Sequence, residues 1–95
     1  MTKADIITDV SKSTGFTKVE VEIVLDSILN SIKNSLSNGE RVDMRGFGSF
    51  LVKRREARKT RNPATNEIVN LEARYIPSFK VSKILKEFVN NNLIN

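Results

Sequence analysis

Lys53, Arg54, Arg55, Arg58, Lys59 and Arg61 fall within the ten residues Val52–Arg61, with Glu56 the one acid among them. Such a run suits the binding of phosphate. Guanidinium groups present planar forks of N–H donors that match phosphate oxygens, and lysine adds a point charge. A charge run is often no more than a solvated face, but this one lies mid-chain, directly after an apolar, strand-like segment. Lys80, Lys83 and Lys86 follow at spacings of three, so the latter two share a face of any helix there.

The balance of the chain points the same way. Its 95 residues carry 16 Lys plus Arg against 11 Asp plus Glu, a formal charge of +5. Residues 1–40 hold four lysines against six carboxylates, or −2, and residues 41–95 hold twelve basic side chains against five acids, or +7. A basic half of this kind favours a polyanionic partner.

Much chemistry is excluded. With no His and no Cys, disulfides, thiolate nucleophiles, Ser-His-Asp triads and the usual zinc and transition-metal ligand sets are absent. Carboxylates could hold Mg²⁺, but they are spread over helix surfaces, and Asp43 is flanked by Arg41 and Arg45. The expectation is a protein without catalysis, metal or cofactor. No apolar run is long enough to span a membrane and Met1–Asp5 lacks a signal-peptide core, so a cytoplasmic location is expected.

The elements that must carry the basic residues follow from periodicity. Thr2 with Asp5 predicts a helix start, Ile6, Ile7 and Val10 give it an apolar face, and Gly15 suits its end. Thr17 with Glu20 is a capping box, flanked by Phe16 and Val21 as a hydrophobic staple. Apolar residues then recur at Val21, Val24, Leu25, Ile28, Leu29, Ile32 and Leu36. Val19 and Ile23 widen this surface beyond a single stripe, so the helix needs cover on more than one side, which a second copy of the chain would supply. From Glu40 the period becomes two. Val42 and Met44 alternate with charged residues, Gly46-Phe47-Gly48 reads as a tight turn, and Phe50 and Val52 share a strand face. Residues 54–74 read as one hairpin ribbon with its tip at Asn62–Glu67, and Asn66 is acceptable at a left-handed position there. A last helix starts at Ser82 and carries Ile84, Leu85, Phe88 and Val89, and the tail from Asn90 is expected to fray.

These residues resemble a family. Gly46-Phe47-Gly48-Ser49-Phe50, Arg61-Asn62-Pro63 with Thr65, Pro77 with Phe79-Lys80, and Leu85-Lys86 are similar to the bacterial HU / integration host factor (IHF) proteins. The likeness spans the chain in order, and Arg45–Phe50 with Leu71–Pro77 resembles the IHF β-subunit in parts. Thr60, Asn66 and Val81-Ser82 depart from the family pattern.

The resemblance implies an α+β, HU/IHF-like intertwined dimer, homodimer or heterodimer with a related subunit. Two N-terminal helices (1–39) form its base. A three-stranded antiparallel sheet (40–81) extends into a β-ribbon arm at about 54–74, and a short C-terminal helix and tail fill 82–95, all in one domain, 1–95. It implies a nucleoid-associated protein that binds the minor groove of double-stranded DNA and bends it, with Pro63 as an intercalating wedge. Lys53, Arg55, Arg58, Arg61 and Asn62 would line the arm's contact, and Lys3, Lys80, Lys83 and Lys86 would meet flanking phosphates. By the resemblance Arg45 would help read sequence, whereas strand alternation alone makes it a surface charge. The basic ribbon alone also permits an RNA-binding module, but the aromatic-rich strand pattern that stacks unpaired bases is missing. RNA is therefore expected as a secondary partner at most.

Overall fold

The computed structural model describes residues 1–94, so Asn95 of the expected C-terminal segment lies outside the described residues. The element order is α1 (Lys3–Thr14), α2 (Lys18–Ser37), β1 (Val42–Met44), β2 (Gly48–Arg55), β3 (Arg58–Arg61), β4 (Ile68–Leu71), β5 (Arg74–Val81) and α3 (Lys83–Ile94). This is the expected α+β class. By internal contacts the chain forms two compact units, residues 1–35 and residues 36 onward.

In the first unit both helix starts are fixed by reciprocal caps. The Asp5 N–H donates to Thr2 Oγ1 at 3.3 Å while the Thr2 N–H donates to Asp5 Oδ2 at 2.8 Å. The Glu20 N–H donates to Thr17 Oγ1 at 3.1 Å while the Thr17 N–H donates to Glu20 Oε1 at 3.2 Å. Each pair satisfies two amides that a helix end leaves without partners. Gly15, at φ +81°, ends α1, and its N–H donates to the Ser11 carbonyl. Ile7 and Val21 are the buried apolar side chains. Beside them lies an open groove of about 350 Å³, lined by Ile6, Val10, Phe16, Val24, Leu25 and Ile28. Val19, Ile23 and Leu29 are exposed as well. Full burial of one such side chain stabilises by about 1.5–3 kcal/mol, so a surface this apolar fits cover by another chain.

In the second unit β1, β2 and β5 form an antiparallel sheet in the order β1-β2-β5. The turn from β1 to β2 is closed by the Phe47 N–H donating to the Met44 carbonyl, with Gly46 at φ +81°. Gly48 does not belong to that turn: it is the buried first residue of β2, opposite Val81. Phe50 faces Phe79 across β2 and β5, their ring centroids 4.9 Å apart, and Phe47 approaches Phe79 at 5.6 Å. These rings form the apolar centre of the sheet.

Ser82 caps α3, its Oγ accepting from the Leu85 N–H at 3.0 Å, and its own N–H donates to the Phe47 carbonyl at 2.9 Å. The expected fraying from Asn90 is corrected: α3 continues to Ile94. Asn92 Nδ2 donates to the Phe88 carbonyl at 2.7 Å, so this asparagine folds back on the helix instead of interrupting it. Among the described residues no helix is long and apolar enough to cross a membrane.

Candidate nucleic-acid interface

The basic run is carried on two adjoining pieces of antiparallel structure. Lys53, Arg54 and Arg55 end β2, and Arg58, Lys59 and Arg61 lie on β3, which pairs with β4 as a separate two-stranded ribbon. The expectation of one continuous ribbon over 54–74 is corrected in this respect. Pairing stops after Arg55↔Arg74 and resumes at Arg58↔Leu71. Two residues on each strand, Glu56-Ala57 and Glu72-Ala73, fall between, so the register is the same on both sides of the break. Glu56 ion-pairs with Arg54 at 3.5 Å.

The tip is built around Asn62. Its N–H donates to the Glu67 carbonyl at 2.8 Å and its carbonyl accepts from the Asn66 N–H at 2.7 Å. Its side-chain oxygen accepts from the Ala64 N–H at 2.9 Å, an Asx turn with Pro63 between the partners. Asn66 adopts φ +62°, the left-handed conformation that the sequence allows there. Its side-chain oxygen accepts from Arg61 at 3.4 Å. Pro63 is left exposed in the turn.

Strand alternation sorts the cations by side. Lys53 and Arg55 project from the sheet opposite to Phe50 and Phe79. On the ribbon Lys59 and Arg61 share one side, while Arg58 lies on the other with Thr60, Val69 and Leu71. The structure thus brings Lys53 together with Arg55 and Arg61 together with Lys59, and sets Arg58 apart from Arg61. Lys59 is not among the sequence-derived contacts. Alternation alone would have found it, since Lys59 stands two residues from Arg61 on the same strand.

The flanking residues gather at the sheet's other end. Arg45, Lys80 and Lys83 line an open depression of about 290 Å³ that also includes Arg41, Asp43 and Ser49. Lys86 is exposed one turn along α3 from Lys83, and Lys83 lies 3.9 Å from Glu87. Lys3 belongs to the other unit, where its Nζ pairs with Asp26 Oδ1 at 2.5 Å. That hydrogen bond holds the Lys3 ammonium above its ordinary pKa.

A polar triad braces β1 against β2. Ser49 Oγ donates to Asp43 Oδ1 at 2.5 Å, Arg41 Nε donates to the same oxygen at 2.7 Å, and an Arg41 terminal nitrogen donates to Ser49 Oγ at 3.2 Å. The hydrogen bond from Ser49, then that from Arg41, draws the Asp43 carboxyl below its ordinary value of 3.8. Stabilisation by a depressed carboxylate is complete above the unfolded pKa of about 3.9 and disappears as pH falls through the folded value. The triad is therefore expected to hold at neutral pH and to loosen only in acid below about pH 4. An NMR titration of the Asp43 carboxyl should give a midpoint under 3.8 that rises in Ser49→Ala. A midpoint at or above 3.8 in the parent chain would rule the triad out.

A helical unit with open apolar faces, a small sheet and an exposed, arginine-bearing ribbon make up a polyanion-binding module. Residues 1–90 match the family described as bacterial DNA-binding protein, and the chain belongs to that family. It is 40% identical over 94 residues to integration host factor subunit beta of Marinobacter nauticus, covering 98% of this chain and 96% of that one. To DNA-binding protein HU of Thermotoga maritima it is 44% identical over 89 residues, covering 94% and 99% respectively. Among solved structures, an Anabaena HU–DNA cocrystal superposes with a TM-score of 0.86 at 36% identity, covering 94% of this chain and 97% of that one. The HU/IHF resemblance drawn from the sequence motifs is borne out.

Proposed function

We propose that the protein is an architectural DNA-binding protein. Two copies, or one copy and a related subunit, hold a duplex between paired ribbons in its minor groove and bend it, contributing to nucleoid organisation and to the assembly of DNA transaction complexes. The ribbon carries this reading: its guanidinium groups are exposed, and its tip offers a rigid proline held in a turn by Asn62. Arginines suit a narrow groove, where the negative potential is enhanced. Pro63 has no N–H to desolvate on meeting a base step.

Lys53, Arg55, Arg58 and Arg61 supply the ribbon's contacts, and Lys3, Lys80, Lys83 and Lys86 meet flanking phosphates. Arg45 leaves the turn after β1 toward the same duplex. Asn62 shapes the tip and reaches the duplex beside Pro63. The open apolar helix faces form the subunit interface. The function is mechanical, with no catalytic step, and places the protein on the nucleoid in the cytoplasm.

Arg58→Ala and Arg61→Ala test this reading. Each variant should weaken binding to all duplex sequences alike and reduce the slope of log affinity against log salt by about 0.9. Fluorescence anisotropy across a salt series measures both. A loss confined to one sequence would mean base readout, and equal affinity for RNA hairpins and flexible duplexes would contradict minor-groove binding.

A further inference from the structure

Strand pairing sets Arg74 directly across from Arg55 at the last rung of the β2–β5 ladder. Opposed residues of an antiparallel pair project from the same side, with Cβ atoms about 4.5–5.5 Å apart. The two guanidinium groups therefore leave the sheet side by side, away from the Phe50–Phe79 face. Neither makes an ion pair among the described residues: Glu56 is taken by Arg54, and no carboxylate lies within 4.0 Å of Arg55 or Arg74. Both are exposed. Like charges directly opposite destabilise a sheet, so in the free protein this rung carries a repulsion that no direct ion pair relieves. Lys53 stands two residues from Arg55 on the same side, and Lys80, further along β5, shares it. Beyond the pair the ladder breaks, leaving a recess of about 280 Å³ lined by both arginines together with Arg58, Leu71 and the carboxylates of Glu56 and Glu72, neither of which comes within 4.0 Å of Arg55 or Arg74.

We infer that Arg55 and Arg74 together grip one backbone phosphate of a duplex at the root of the ribbon, which makes Arg74 a DNA contact. The inference rests on the DNA-binding reading above and adds a specific site to it. Two planar forks at this separation can share the non-bridging oxygens of a single phosphodiester, each through charge-assisted hydrogen bonds. The phosphate relieves the repulsion that the free sheet carries. The pair therefore weakens the free protein and strengthens the complex, two effects that an ordinary surface arginine would not combine.

Arg74→Thr tests both, since threonine keeps strand propensity and removes the charge. In the full chain, anisotropy with a fluorescent duplex over a salt series should show the slope reduced by about 0.9. Thermal unfolding of the free protein at low salt should show a midpoint raised by a few degrees. Arg74→Lys should retain the slope while binding more weakly, because the charge remains and the fork is lost. An unchanged slope in Arg74→Thr, with the parent binding normally, would overturn the inference and leave the DNA-binding reading intact. An unchanged or lowered midpoint would remove the repulsion on which it rests. Absence of salt-dependent duplex binding by the parent would overturn the broader reading, and this inference with it.

Discussion

Replacing Pro63 with alanine is expected to remove most of the duplex bend while costing less than about tenfold in affinity, or 1.4 kcal/mol. The two quantities separate because a wedge acts on both sides of the balance. Unstacking a base step costs a few kcal/mol, and the bend it produces returns that cost through extra contact along the protein. Removing the wedge removes the cost together with the gain. The rest of the tip should survive, since the Asx turn depends on the Asn62 side chain and the Ala64 N–H. Apolar wedges kink duplexes by about 20–90°, so energy transfer between dyes at the duplex ends should fall by a change of that size. An unchanged transfer efficiency would show that Pro63 is only a turn residue.

The second large effect concerns the sheet that roots the ribbon. Gly48→Ala should destabilise the protein by about 3 kcal/mol or more. A Cβ at this position would collide with the Phe79 ring and come within 2.6 Å of the Lys80 carbonyl oxygen. The ring is flanked by Phe47 and Phe50, and the carbonyl belongs to the backbone of the paired strand, which cannot yield cheaply. By contrast Gly15→Ala, at φ +81° with nothing within 4 Å, meets backbone strain alone, about 1–2 kcal/mol. At about 4–8 °C per kcal/mol for a domain of this size, the unfolding midpoint should drop by more than about 12 °C in Gly48→Ala. A smaller drop than in Gly15→Ala would mean that the Phe79 ring does not lie over Gly48.

The parts of this structure that were legible in the sequence are those decided within a few residues. Thr2 with Asp5, Thr17 with Glu20, Gly15 and Ser82 each act on amides or backbone angles next to them, so residue type and spacing suffice. Asn66 belongs with them, since a turn needing a left-handed residue accepts asparagine. Longer-range features were hidden. Gly48 looks like a turn glycine because nothing local reveals that a ring 31 positions later lies over it. The break at Glu56-Ala57 and Glu72-Ala73 is invisible because no turn residue or change of period marks it, and the register continues unchanged across it. Grouping Arg58 with Arg61 follows charge and reach, although period-two alternation already sets residues three apart on opposite sides of a strand. For α3, a run of three asparagines argues for fraying by propensity, yet Asn92 satisfies its own side chain on the Phe88 carbonyl.

The unchanged register across that break has a further consequence, for how a ribbon of this design can vary in length. One residue added to each strand at the break would turn every ribbon side chain to the opposite side, since strand side chains alternate with a period of two. Lys59 and Arg61 would exchange sides with Arg58, and the tip would be inverted. Two residues added to each strand restore the original facing and carry the tip outward by about 6.6 Å. Reach in such a ribbon is thus quantised: it grows in even steps, and odd insertions yield a ribbon of the right composition that presents the wrong side.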